Sequence, residues 1–148
     1  MPSERVNQFY ECDSFAIVGM SRKEKNFAWS IYEQLVERGK RVYAVNPGEG
    51  SYDEIRFYSR LSELPETPEA IIVSLDLRKA KGILDELKDS DAKYIWFQQG
   101  SFNNEILSEA KRLGLDPIKG CAHMNMPNAQ FMHRFHRTIN EFFGKGYK

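Results

Sequence analysis

Two cysteines in 148 residues, Cys12 and Cys121, are too few for a disulfide framework, so a reducing, cytoplasmic setting is the expectation. No apolar run approaches the roughly 20 residues that cross a bilayer. The polar opening MPSERVNQFYECDS also lacks the apolar core of a secretory signal. Neither sign of charge is in excess: 21 Lys plus Arg balance 21 Asp plus Glu, which gives no global pull toward nucleic acid or an anionic membrane. Repeats, low-complexity tracts and Gly/Ser linkers are missing, and residues 1–148 are expected to form one domain around one core. Also missing are a Walker A sequence, a Gly-x-Ser-x-Gly elbow and a Ser/His/Asp order, and a binding protein is the simpler expectation than an enzyme.

What is present is an alternation of short apolar runs with helical patterns. Phe15–Val18, Arg41–Val45, Ala70–Leu75, Tyr94–Phe97 and a short run over 117–119 are apolar on both faces, as strands covered on each side should be. Between them, Ala28, Ile31, Tyr32, Leu35 and Val36 recur at helical spacing before Gly39. Ala80, Ile83, Leu84 and Leu87 form a second stripe, and Ile106, Leu107, Ala110 and Leu113 a third, closed by Gly114. A short helix over 4–11 precedes the first strand, and a last helix is expected over about 128–143. This order predicts an α/β fold: a Rossmann-like, doubly wound, five-stranded parallel sheet with helices on both faces. Such sheets bind ligands outside the carboxyl ends of their strands, which here gathers the loops Gly19–Asn26, Asn46–Ser51, Ser74–Leu77 and Gln98–Ser101.

The first of these loops, GMSRKEKN, carries a single glycine where a dinucleotide fingerprint has three. Gly19 permits a sharp turn, Ser21 offers a hydroxyl, and the following helix presents unpaired N–H groups. Arg22, Lys23 and Lys25 place cations at the helix end that least favours them, a conflict an anionic ligand relieves. The plain alternative is a solvated basic loop. After the second strand, Asn46-Pro47 stands where an NAD site has a ribose-binding acid. The plain alternative there is a β-turn.

The pieces IVGMSR, GKRVYAVNP, LSELPETPEAIIVSL, YIWFQQGSFNNE and AKRLGLDPIKGC, in this order over Phe15 to Cys121, resemble the small single-domain CoA-binding proteins. Their fold is similar to the CoA-binding domain of the succinyl-CoA synthetase alpha subunit. The resemblance implies that Gly19, Met20 and Ser21 contact the pyrophosphate region of CoA, with Arg22 beside them and the family's phosphate-binding charge displaced to Lys23 or Lys25. It further implies that Asn46 and Pro47 line the adenine-ribose side, that Ser74 and Leu75 lie along the ligand, and that Gln98 and Gly100 form the next loop. A carboxylate beside the 3′-phosphate of CoA would be repulsive, which accounts for the missing acid. The chain departs from the family at Asn26, where lysine is frequent, at Ala28, where glycine is, and at Ser74, where proline is. The phosphorylated histidine of the synthetase mechanism belongs to a further domain, so the expectation is a non-catalytic protein that binds CoA or acyl-CoA.

Two other readings compete. The same crevice would serve an NAD(P)-dependent enzyme or nucleotide sensor, since Arg22 and the lysines suit a 2′-phosphate as well. The tract CAHMNMPNAQFMHRFH gathers Cys121, His123, His133 and His136 with two methionines, a soft ligand set for zinc or copper and the core of a metal-binding or interaction module. The alternative is that these histidines merely flank buried phenylalanines. Cys121 is a candidate for a mixed disulfide with the CoA thiol, or simply a small buried hydrophobe. The expected partner is a small-molecule nucleotide, with neither nucleic acid nor membrane, and a homodimer is compatible with the sequence.

Overall fold

The structure, a computed structural model, describes residues 4–21, 23–47 and 50–120. Expectations that fall on Arg22, on Cys121, His123, His133 and His136, and on a helix over 128–143 lie outside the described residues. The chain opens with α1 (Glu4–Glu11), which leads into β1 (Ser14–Val18), buried at all of its positions. There follow α2 (Phe27–Glu37), β2 (Arg41–Val45), β3 (Gly50–Tyr52) and β4 (Ile55–Tyr58). A single 3-10 turn over Leu61–Glu63 precedes β5 (Ala70–Val73), and then come α3 (Leu77–Gly82), α4 (Leu84–Asp89), β6 (Tyr94–Gln98), α5 (Asn104–Arg112) and β7 (Ile118–Gly120).

Among the described residues the sheet has seven strands, in the order β3-β4-β2-β1-β5-β6-β7, not the five expected. All five expected strands are present and pair in parallel. The two additions are a hairpin whose second strand, β4, pairs parallel to β2, while β3 pairs antiparallel at the edge, so the sheet is mixed. Its turn holds Asp53 at φ 55° and Glu54 at φ 64°. Two consecutive left-handed residues suit a two-residue hairpin, but Asn-Gly is the usual signal and this sequence lacks it. The third expected strand is shorter than the sequence suggests: Ser74 N–H still bonds the Val18 carbonyl at 2.8 Å, but Leu75 N–H goes to the Ser101 hydroxyl, which ends the ladder.

Strand periodicity divides the core in two. Phe15, Ile17, Ala70, Ile72 and Trp96 pack with α1 and α2, while Ala16, Val18, Ile71, Val73, Ile95 and Phe97 pack with α3, α4 and α5. Helices therefore cover both faces. α1 is anchored by Phe9, fully buried, whose ring lies 4.9 Å from Trp96 and meets Phe15 edge-on at 5.4 Å. Cys12, at the end of this helix, is buried and bonds the Gln8 carbonyl. Burial, and secondarily Glu69, pushes its thiol up to about 11, which makes it an inert packing residue. The stripe of Ala80, Ile83, Leu84 and Leu87 is buried as expected, but its helix is interrupted at Gly82-Ile83, where a residue with no side chain lowers helix propensity.

Among the described residues one buried side chain is unsatisfied. Gln34 on α2 has no exposed surface, and neither its Nε2 nor its Oε1 has a hydrogen-bond partner. Gln34→Met keeps the length of the side chain and removes both orphan atoms, so it is expected to stabilise the protein by about 1–3 kcal/mol. A urea midpoint that stays put or falls would show that the amide is satisfied in solution.

Candidate functional site

The carboxyl ends of β2, β1, β5 and β6 are laced together by their loops. Gly19 N–H donates to the Val45 carbonyl at 3.1 Å, which joins the first turn to the end of β2. At φ 116°, Gly19 adopts a backbone that side-chain-bearing residues rarely take, and a Cβ there would lie 1.9 Å from the Ser74 carbonyl oxygen. The single glycine thus seats the first turn directly on the loop after β5. That loop is joined to the one after β6 by the 2.8 Å bond from Leu75 N–H to Ser101 Oγ, and Gln99 N–H reaches the Gly120 carbonyl of β7 at 2.9 Å. Gly100, at φ 92°, makes the intervening turn.

Within the first turn, Asn26 acts as a staple. Its Nδ2 donates to the Gly19 carbonyl at 2.9 Å and its Oδ1 accepts from Ser21 N–H at 3.4 Å. Asn26 is also the N-cap residue of α2, yet its side chain makes no cap bond and the first helical turn contains no acid. The positive end of α2 is left without its own counter-charge. Ser21 Oγ accepts from the backbone N–H groups of Lys23 (3.0 Å) and Glu24 (3.2 Å), which leaves its own hydrogen to donate. Trp29 Nε1–H fixes the Ser21 carbonyl at 2.9 Å.

Asn46 explains the missing acid from another direction. Its Nδ2 donates to the Met20 carbonyl, a bond that an ionised carboxylate cannot make, and its backbone N–H bonds the Tyr58 carbonyl at 2.9 Å. The hairpin that the sequence reading missed therefore positions the end of β2.

The expected site residues separate on this frame. Ser21 and Asn46 line one cleft of about 360 Å³, together with Lys23 and Lys79. Gly19, Ser74, Leu75 and Gly100 lie in the loops at these strand ends and Gln98 ends β6, but none of them is among the described residues that line this cleft. Met20 is fully buried, its side chain in the core, so only its backbone faces the loop. Pro47 follows Asn46 on the exposed side. Lys25 is drawn toward the hairpin: its Nζ pairs with Asp53 at 2.7 Å and lies 5.2 Å over the Trp29 ring. Nearby Glu33 has its carboxyl pushed above the usual range, mainly by burial, with Lys25 opposing. Lys79, in α3, is the residue sequence reasoning missed. The available signal was its place in the first helical turn after the third predicted strand, within reach of the loop cluster.

Size does not select the site. A larger cleft of about 470 Å³ runs between residues 60–68 and the end of α4, but Glu66, Glu86, Asp89 and Asp91 outnumber Arg60 in its wall. Such a wall repels anions. Among the described residues no group of His, Cys, Asp and Glu is arranged to hold a metal ion, and no helix is long and apolar enough to cross a membrane.

The chain is similar to known proteins in sequence and in fold. The Bacillus subtilis (strain 168) uncharacterized protein YneT is 24% identical over 99 residues, 67% of this chain and 73% of that protein. A solved structure of a hypothetical protein from Pyrococcus horikoshii OT3 superposes with a TM-score of 0.71 at 23% identity, covering 94% of this chain and 92% of that one. The dinucleotide-forming acetyl-coenzyme A synthetase 1 of Ca. Korarchaeum cryptofilum, in its apo form, matches 76% of this chain with 27% of its own, at a TM-score of 0.61 and 18% identity. The model of the CoA binding domain family matches residues 13–127. The chain belongs to the CoA binding domain family.

Proposed function

We propose that this protein binds CoA or an acyl-CoA, without catalysing a reaction on it, in the crevice at the carboxyl ends of β1, β2 and β5. The observation that carries the reading is the lining of the cleft: two ammonium groups, a hydroxyl and an amide, with no carboxylate among the described residues. A phosphate is attracted to such a wall, and an amide tolerates a phosphorylated ribose where an acid would repel it. The turn supports the same reading, since the uncapped end of α2 opens beside it. Family membership supplies the ligand class. In this proposal Gly19, Ser74, Leu75, Gln98 and Gly100 shape the crevice, Ser21 and Asn46 touch the ligand, and Lys25 holds the hairpin. Among the described residues the cleft has no nucleophile paired with a base, which favours holding over turnover. At about 360 Å³ it accommodates the phosphate-bearing part of the ligand and leaves the thiol arm outside. A protein of this kind would work in the cytoplasm, where its ligand is reduced.

Titration calorimetry with CoA, acetyl-CoA, NAD and NADP side by side tests the reading. Saturable heat is expected with CoA or acetyl-CoA and none with NAD. Binding of NADP with no heat from CoA would replace this reading by the dinucleotide one.

A further inference from the structure

Two cations near this end of the molecule are already committed to carboxylates. Lys25 holds Asp53 at 2.7 Å, and Lys81, one helical step beyond the cleft, holds Glu105 at 2.9 Å. Lys23 and Lys79 are different. Both are exposed, both line the same cleft, and neither has a carboxylate partner among the described residues. They come from opposite sides of the sheet: Lys23 from the turn before α2, which packs on one face, and Lys79 from α3, which packs on the other. β1 and β5, the strands whose ends they flank, are neighbours in the sheet although far apart in sequence. Two like charges directed into one cleft repel each other when it is empty, and a dianion between them removes that repulsion. The acid nearest to Lys79 in sequence, Asp76, is occupied as the cap of α3, accepting the Lys79 backbone N–H at 3.0 Å.

We infer that Lys23 and Lys79 form a two-lysine clamp that closes on a single phosphate group of the bound nucleotide, with the Ser21 hydroxyl and the Asn46 amide completing the contact. The inference rests on the nucleotide reading above and adds to it a named residue, Lys79, and a division of labour. Lys25 serves the fold while the clamp serves the ligand. CoA can present either its diphosphate or its ribose 3′-phosphate to the clamp, since the chemistry recognised is the same. Asn46, at the end of β2, stands where ribose contacts lie in sheets of this kind, and the first turn stands where diphosphates lie.

The test uses the intact protein and two probes. Lys79→Met removes the charge and keeps the bulk of an exposed side chain; Lys81→Met serves as control. Calorimetry should show CoA binding weakened about five- to tenfold by Lys79→Met, as expected for one charge-assisted contact at a solvent-accessible phosphate, and unchanged by Lys81→Met. Dephospho-CoA then separates the sources: an equal loss for both ligands assigns the clamp to the diphosphate, and a loss confined to CoA assigns it to the 3′-phosphate. Equal affinity of Lys79→Met and wild type for both ligands overturns the clamp while leaving the CoA reading intact. Should wild type bind neither ligand, that reading falls, and the clamp is judged by inorganic pyrophosphate instead. Acetylation of Lys23 and Lys79 by an amine-reactive ester should slow in the presence of pyrophosphate while Lys81 is unaffected; no protection overturns the clamp.

Discussion

Gly19→Ala is expected to destabilise the protein by about 3 kcal/mol or more, the sum of a left-handed backbone penalty and an overpacking penalty at one residue. The two penalties are independent. The backbone at φ 116° disfavours any Cβ, and this Cβ would in addition lie 1.9 Å from the Ser74 carbonyl oxygen and 2.7 Å from its carbon. Neither atom is the tip of a flexible side chain, so relief requires the first turn and the loop after β5 to part. That separation would also break the 2.8 Å bond from Ser74 N–H to the Val18 carbonyl, at the centre of the sheet. Urea denaturation measures the loss directly, as a midpoint lower by 1 M or more for slopes of about 1–3 kcal/mol/M. A midpoint within error of wild type would mean that the two loops are not in contact in solution.

The second large effect is expected from Asn46→Asp, the change that would install the acid of an NAD site. An ionised carboxylate cannot donate to the Met20 carbonyl, whose residue is fully buried, so the end of β2 loses its tie to the first turn at a cost of about 1–3 kcal/mol. The new charge also faces Lys23 and Lys79 across the cleft, where it competes with phosphate for both. CoA affinity should fall by about tenfold or more, the scale of one lost charge-assisted contact plus repulsion. Calorimetry at constant ionic strength reads the affinity, and a thermal melt in the same buffer reads the stability. Unaltered CoA affinity alongside a lowered melting temperature would place the nucleotide phosphates away from Asn46 and confine its role to the fold.

The sequence made the central strands and their helices legible because burial on both faces leaves a plain mark: Phe15–Val18 and Ala70–Val73 contain no polar residue. It hid the hairpin because strands of three and four residues are too short for their alternation to register, and Asp53-Glu54 is not a turn signal. In the site, the first turn was legible through Gly19 and Ser21, though for a partly different reason than expected. Gly19 makes room for the Ser74 backbone, and the Ser21 oxygen first folds its own loop. The basic run read as a phosphate-binding charge at Lys23 or Lys25, and the ion pair of Lys25 with Asp53 was not legible because Asp53 lies on the unseen hairpin. Lys79 was not singled out, because its place in the first helical turn after the third strand was the one signal, and that does not tell which side chain of the turn lines the cleft.

The chain contains two tryptophans, and their placement has an optical consequence. Trp29 donates its indole hydrogen to Ser21 and carries the Lys25 ammonium over its ring. Trp96 lies on the opposite half of the same core layer, its indole bonded to the Gly120 carbonyl at 3.0 Å and its ring against Phe9. One chromophore is thus wired to the turn that would hold a ligand, and the other to the docking of the first helix. The molecule carries a separate fluorescent gauge for each.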